Sequence, residues 1–307
     1  MAISLKGQNF RLLQQDPVSG KFRCFGMSTN ASINQSANTD DATTKDVLGM
    51  ASMPTVTSKS AQISVETLTI SNAVELLAAI ASGVPFTLIW DEVSTVNNQT
   101  PIGATFARTC KAYLNDVTLN LNDRENTATS LQFASTSPIT KITTTPTYEM
   151  VEQGTFVKGQ FVRLFLSKNN TDTPSYVILA PKSLSLHCSL SLEDATTKDT
   201  EGDWQVQEPT SLSYDISINA ITRSGEVITS SVPALSFSDM QDIYEGSAPI
   251  RWEIAHTSGA NNRTKGDVIC AGSAIMTALN VQAQDRQTVK YDATLNGYGP
   301  YETPAES

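Results

Sequence analysis

The chain has 307 residues, a length that argues for about two domains. Charged residues make up 17% of it, below the usual ~25% of soluble domains, with Thr, Ser and Asn in their place. The net charge of −10 and the lack of any Lys/Arg run exclude the basic patch of a conventional nucleic-acid binder. No apolar stretch is long enough for a membrane-spanning helix.

In chain order, 9–13 and 21–25 read as strands around the turn Asp16-Pro17-Val18-Ser19-Gly20, a hairpin signal. Residues 26–36 are polar and alternating, and 38–53 read as a Thr-rich polar loop ending at Met53-Pro54. Over 61–70, Ile63, Val65 and Thr67 alternate with Gln62, Ser64 and Glu66, which predicts a half-buried strand. A helix follows. Asn72 caps it with Glu75 reaching back, Ala73, Leu76, Leu77 and Ile80 form its apolar stripe, and Gly83 and Pro85 end it. Residues 86–90 read as a buried strand. Strands at 105–121 and 127–134 close this half, with Asp123-Arg124 in the turn between them.

The second half repeats the order. Pro209 closes a polar loop, and 212–221 alternates Tyr214, Ile216 and Ile218 with Asp215, Ser217 and Asn219. Ser238-Asp239-Met240-Gln241 reads as the capping box of a short helix that stops at Gly246. A strand at 250–254 carries Trp252. Two closing strands, 268–283 and 287–295, flank Asp285-Arg286. Each half is thus mainly β with one α-helix and about six or seven strands, a β-sandwich or partly open barrel of Greek-key character.

The halves also share words. Asp41-Ala42-Thr43-Thr44-Lys45-Asp46 recurs as Asp194-Ala195-Thr196-Thr197-Lys198-Asp199. Gly7-Gln8-Asn9-Phe10-Arg11-Leu12 matches Gly159-Gln160-Phe161-Val162-Arg163-Leu164, and Asn122-Asp123-Arg124-Glu125 matches Gln284-Asp285-Arg286-Gln287. Matches that keep their order mark an internal duplication. The expected division is 1–153 and 154–307. The first part carries 10 basic and 13 acidic residues and the second 11 and 18, so both are acidic.

Little in the chain suggests chemistry. Cys24, Cys110, Cys188 and Cys270 form no CxxC, and the two histidines, His187 and His256, lie in unrelated contexts. No set of four convergent zinc ligands appears; the cysteines read as small buried apolar residues, reduced. Asp41, Asp46, Asp194 and Asp199 have the residue types of acid/base pairs or calcium ligands. Their spacing is not that of an EF-hand, however, and Lys45 and Lys198 would compete with a cation. A solvated turn or a protein-contact loop is the expectation instead, formed in each half by Asp41, Thr43, Thr44, Lys45 and Asp46, and by Asp194, Thr196, Thr197, Lys198 and Asp199. Asp123, Arg124, Asp285 and Arg286 are either turn residues or intersubunit ion pairs. Trp90 and Trp252 read as core; Trp204 is either an anchor for a protein contact or a local packing residue. No catalytic, metal or cofactor site is expected, so the chain reads as no enzyme. The first residues lack the apolar run of a signal peptide, so assembly is expected in a cytoplasm.

One segment carries a family resemblance. Ser191-Leu192-Glu193-Asp194-Ala195-Thr196-Thr197-Lys198-Asp199-Thr200-Glu201-Gly202-Asp203-Trp204, with Pro209 and the alternating strand to Ile218, resembles the signature of phage major tail (tail tube) proteins. So does Ala271-Gly272-Ser273-Ala274-Ile275-Met276 leading to Asn296-Gly297-Tyr298-Gly299-Pro300. The first half departs from the pattern: Val47-Leu48-Gly49-Met50 replaces Gly-Asp-Trp, and Ser135-Thr136-Ser137-Pro138 replaces the exit glycines. The resemblance implies two tandem tail-tube-like domains in a virion tail subunit. Such domains close into six-domain rings that stack into a hollow conduit. Three two-domain chains would then complete a ring, associating with other tail proteins, with no membrane, and letting double-stranded DNA pass without specific binding. The alternatives are a tail terminator or baseplate hub component, and a tandem β-sandwich adhesin or receptor-binding module.

Overall fold

The computed structural model describes residues 7, 10–15, 20–25, 28–43, 52–68, 73–92, 107–142, 147–149, 157–200, 202–222, 232–258 and 263–303. In the first half the strands are β1 (Phe10–Gln15), β2 (Phe22–Cys24), β3 (Ser28–Asp41), β4 (Pro54–Thr67), β5 (Phe86–Glu92), β6 (Arg108–Asn122), β7 (Ala128–Ser135), β8 (Thr140–Lys141) and β9 (Tyr148–Glu149), with helix α1 (Ala73–Ser82) between β4 and β5. The second half has β10 (Val162–Leu166), β11 (Tyr176–Ile178), β12 (Pro181–Asp194), β13 (Gln207–Ile221), β14 (Ala234–Leu235), β15 (Ile250–Thr257), β16 (Lys265–Gln282) and β17 (Lys290–Gly297), with helix α2 (Phe237–Gly246) between β14 and β15. The protein is mainly β, and among the described residues each half has one α-helix, as expected. The described strands outnumber the six or seven expected per half, because short pairing segments such as β8 and β9 carry no periodic signal.

The halves agree strand by strand. β1 pairs with β2 and β5, as β10 pairs with β11 and β15. The hairpin β3–β4 matches β12–β13, and the ladders β4–β7, β5–β6 and β6–β7 match β13–β17, β15–β16 and β16–β17. Irregularities recur in place. β3 breaks register between Ser28 and Asn30 and between Asn38 and Thr39; β12 does so between Pro181 and Ser183 and between Ser191 and Leu192. β6 breaks at Leu114/Asp116 and β16 at Met276/Ala278. Bulges re-aim a strand and are positioned features, so their coincidence aligns the halves residue by residue. Arg124 (φ 64°) and Arg286 (φ 58°) occupy the same left-handed turn position. After the helices, Gly83 (φ 59°) corresponds to Ser247 (φ 49°).

Alternation builds the core. Ile63, Val65 and Thr67 point inward on β4, and Tyr214, Ile216 and Ile218 do so on β13, as their periodicity predicts. Trp90 and Trp252 are both buried. On α1, Leu76, Leu77 and Ile80 are buried; the expected cap Asn72 lies outside the described residues. The cap of α2 differs from expectation. Ser236, not Ser238, caps it: Asp239 N donates to Ser236 Oγ (3.3 Å) and Ser236 N donates to Asp239 Oδ2 (2.8 Å). Asp239 is therefore the third helical residue, and its carboxylate satisfies the cap's own amide. The polar segment expected as a loop from 38 is strand through Asp41, and strand resumes at Pro54.

The two halves meet in one ladder. β6 pairs antiparallel with β12, from Asn122↔Ser183 through Thr118↔His187 to Asp116↔Ser189. The order β3-β4-β7-β6-β12-β13-β17-β16 is then one continuous antiparallel sheet across both halves.

Candidate assembly interface

This eight-stranded sheet has one apolar and one polar face. The apolar face carries Val117, Leu119 and Leu121 of β6 beside Leu184, Leu186 and Cys188 of β12, all buried. Helix α1 packs over β6 and reaches across to β12 and β16 of the other half. There Tyr301 Oη donates to the Leu77 carbonyl (2.5 Å). The polar face carries Ser, Thr, Asn and Gln, with cross-strand hydrogen bonds such as Ser32 Oγ to Ser64 Oγ (2.7 Å) and Ser36 Oγ to Ser60 Oγ (2.9 Å). Its charged groups between the bulges are Glu66, Asp116, Asp215 and Asp292 against His187 and Lys290, a mildly acidic balance.

A charged cluster marks the junction on that face. His187 Nε2 lies 2.7 Å from Asp116 Oδ2 across the β6–β12 ladder, and Nδ1 lies 3.0 Å from Asp215 Oδ1 on β13. Burial works against the charged ring, but hydrogen bonds to Asp116 and Asp215 outweigh it and hold its pKa above the ordinary histidine value.

The duplicated motif forms the same knot at both hairpin tips. Thr43 N donates to Asp41 Oδ1 (2.9 Å), as Thr196 N donates to Asp194 Oδ1 (3.0 Å). The hydroxyls of Thr43 and Thr196 donate to the same carboxylates. They then accept from Met53 N and Val206 N, each at 3.0 Å. These bonds, led by the threonine hydroxyl, hold both carboxyls below the usual aspartate range. The knot gives a local reason for the shared Asp-Ala-Thr. Thr44, Lys45 and Asp46 lie outside the described residues. In the second half Thr197, Lys198 and Asp199 are exposed, with Thr197 N donating to Thr200 Oγ1 (3.0 Å).

Trp204 is half-buried and bridges to Lys59 of the first half. Around it, Lys59 N donates to the Asp203 carbonyl (2.5 Å), Gln205 N donates to the Lys59 carbonyl (3.0 Å), and Lys59 Nζ pairs with Asp203 Oδ2 (3.1 Å). The tip of the β12–β13 hairpin thus lies on its own chain. Arg124 and Arg286 each sit near the preceding aspartate, at 3.6 Å from Asp123 and 3.7 Å from Asp285, with both arginines strongly exposed. Sequence reasoning missed Lys59, Asp203 and the His187 cluster, because only the tertiary fold brings them together.

Among the described residues no group of three His, Cys, Asp or Glu could hold a metal ion. All four cysteines are free and buried, and burial raises the thiols of Cys24, Cys110 and Cys188 to about 11, 12 and 12. No helix in the described residues is long and apolar enough to cross a membrane.

No family model and no curated protein matches the chain. Among the solved structures similar to part of it are three tail assemblies. The tail of an empty gene transfer agent particle, refined with C6 symmetry, is 11% identical over 48% of this chain and 99% of its own, with a TM-score of 0.39. The virion of a native gene transfer agent particle gives 12%, 48%, 99% and 0.37. The SPP1 tail tube gives 15%, 49%, 81% and 0.35. These likenesses concern fold alone.

Proposed function

We propose that the chain is a structural subunit of a phage tail tube, built of two tandem tube-like domains, 1–153 and 154–307, with three chains to a ring. One observation carries this reading: the two halves share one strand order and are joined head to tail through β6 and β12. A head-to-tail joint between like units uses different surfaces on each side, and repeating it generates a closed ring or an open filament. The polar sheet face then becomes the inner wall. Mildly acidic and rich in uncharged side chains, it offers few cations to phosphate, whose contacts are what hold DNA. The chain's role is structural, in the virion tail, after assembly in the host cytoplasm with itself and other tail proteins. In this reading the tips of the β3–β4 and β12–β13 hairpins touch the next chain or ring.

Electron microscopy of the purified protein tests this. Hollow tubes or rings with three chains per ring are expected. Six chains per ring would overturn the stoichiometry, and a strictly monomeric protein under all conditions would overturn the tube.

A further inference from the structure

The internal joint has two matching half-joints left over. β12 pairs with β13 on one side and β6 on the other. Its counterpart β3 pairs with β4, and its other edge has no partner strand among the described residues. Beyond its bulge, β6 lies between β7 and β12, whereas the matching stretch of β16 pairs only with β17 among the described residues. Burial follows the same division. Leu119 is 0% exposed and its counterpart Val281 is 48% exposed; Leu186 is 1% exposed and its counterpart Ile33 is only half-buried.

The helices repeat the contrast. Aligned on Gly83 and Ser247, Ile80 of α1 corresponds to Tyr244 of α2. Ile80 is 0% exposed on the helix that packs against β6, β12 and β16, and Tyr244 is 42% exposed. The glycines do so again. A Cβ on Gly159 would lie 2.2 Å from the Asn122 carbonyl oxygen, so the chain there presses backbone to backbone on the end of β6. Gly7, the matching glycine, has nothing within 4 Å. An exposed strand edge is a template for further pairing, and here the pair of edges repeats a joint already made within the chain.

We propose that β16 of one chain pairs antiparallel with β3 of a second copy, in the register of the internal β6–β12 ladder. Transferring that register through the aligned bulges sets Asn280 opposite Asn34, Val281 opposite Ile33, and Gln282 opposite Ser32. Tyr244 is covered by the second copy as Ile80 is covered within the chain, and Gly7 of the second copy presses on the backbone at Gln284. The partner is a second copy of this chain, engaged head to tail. The inference rests on the tube reading and adds to it which edges meet and in what register.

Paired cysteines test it. Asn34→Cys with Asn280→Cys, and Ser32→Cys with Gln282→Cys, are oxidised or treated with a short bifunctional thiol reagent in assembled protein. Covalent multimers ending at a closed ring are expected; the native thiols are buried. Either single-cysteine variant alone should stay uncrosslinked, and a mixture of the two should form dimers. Gly7→Ala should melt as the wild type does yet assemble at least several-fold less, because its methyl meets open space in the free chain and backbone in the joint. Tubes that form normally with neither pair crosslinking and with Gly7→Ala silent would overturn the register while leaving the tube intact. Wild-type protein that never assembles would overturn the tube reading itself. Single-cysteine variants that dimerise efficiently alone would show a two-fold contact and overturn the head-to-tail joint.

Discussion

His187 Nε2 and Asp116 Oδ2 sit 2.7 Å apart across the ladder that joins the two halves of the chain. Asp215 holds the other ring nitrogen at 3.0 Å. At the matching positions of the other edges stand Asn34, Ala278 and Gln62, so the charged cluster belongs to the internal joint alone. The two joints of a ring would therefore differ chemically while sharing one backbone geometry.

The cluster predicts a pH signature. The folded His187 pKa is raised by its carboxylate partners. Its contribution is therefore complete below the ordinary histidine value, about 6.5, and is lost as pH rises through the folded value. Thermal melting should show a loss on going from pH 6 to pH 9 that His187→Asn flattens. The ring is 37% exposed, so solvent screening keeps the effect small, about 1–2 °C. Identical pH profiles for the two proteins would refute a charged histidine at this joint.

Gly159 makes a tight backbone contact between the halves. Its amide donates to the Glu125 carbonyl (2.9 Å), and an added Cβ would meet Asn122 O at 2.2 Å and Asn122 N at 2.8 Å. Neither obstacle is a flexible side chain. Gly159→Ala should cost about 3 kcal/mol or more of stability, the range of severe overpacking, read from urea denaturation. A cost below about 1 kcal/mol would mean that this segment does not pack as described.

Much of this fold is legible in the residues, and the exceptions have physical causes. The alternation of Ile63, Val65 and Thr67, and of Tyr214, Ile216 and Ile218, marks its strands because one face of each is covered within the chain. β12 alternates Leu184, Leu186, Cys188 and Leu190 inward. Its counterpart β3 offers Ala31, Ile33, Gln35 and Ala37, which give a weak strand signal, and its end was expected as loop. The helix cap moves from Ser238 to Ser236 because two serines stand within reach of a plausible box, and only Ser236 has Asp239 three residues on. The junction itself, Asp116 and Thr118 against His187 and Ser189, has no local signal at all. Comparing the two halves position by position would have hinted at it, since Leu184, Cys188 and Leu190 of β12 match only Ala31, Gln35 and Ala37 on β3.

The polar face makes a separable prediction. Ser217 is exposed on β13 between Asp215 and Asn219, away from the core. Ser217→Arg should fold and assemble normally, since the side chain is exposed on the polar face between Ser185 and Thr294 of the neighbouring strands. If that face is the inner wall, each ring gains cations directed at passing phosphate. DNA retained by isolated tubes should rise severalfold at low salt and fall steeply as salt increases. Unchanged DNA retention in well-formed mutant tubes would count against this face as the wall.

The duplicated motif divides into two parts with different explanations. Asp-Ala-Thr is accounted for by the knot that ties Asp194 to Thr196 and Thr196 to Val206, and Asp41 to Thr43 and Thr43 to Met53. Thr-Lys-Asp is not accounted for in this way. Lys198 and Asp199 are exposed, and no ion pair holds Lys198 among the described residues. Identity around exposed Lys198 between two otherwise diverged halves points to a shared external contact, and we expect these tips to touch the next chain or ring. Charge reversal separates that role from folding. Lys45→Glu with Lys198→Glu leaves both knots and both cores untouched, so circular dichroism and melting should match the wild type, with surface changes of this kind costing about 0.5 kcal/mol or less. Polymerisation, followed by light scattering and electron microscopy, should fall severalfold. Thr196→Val makes the internal comparison: it breaks the knot but keeps Lys198, so it should speed amide exchange at Val206 while leaving the tip's charge in place. Normal tubes from the double charge-reversal variant would remove the tips from the assembly contact and leave the motif explained by the knot alone.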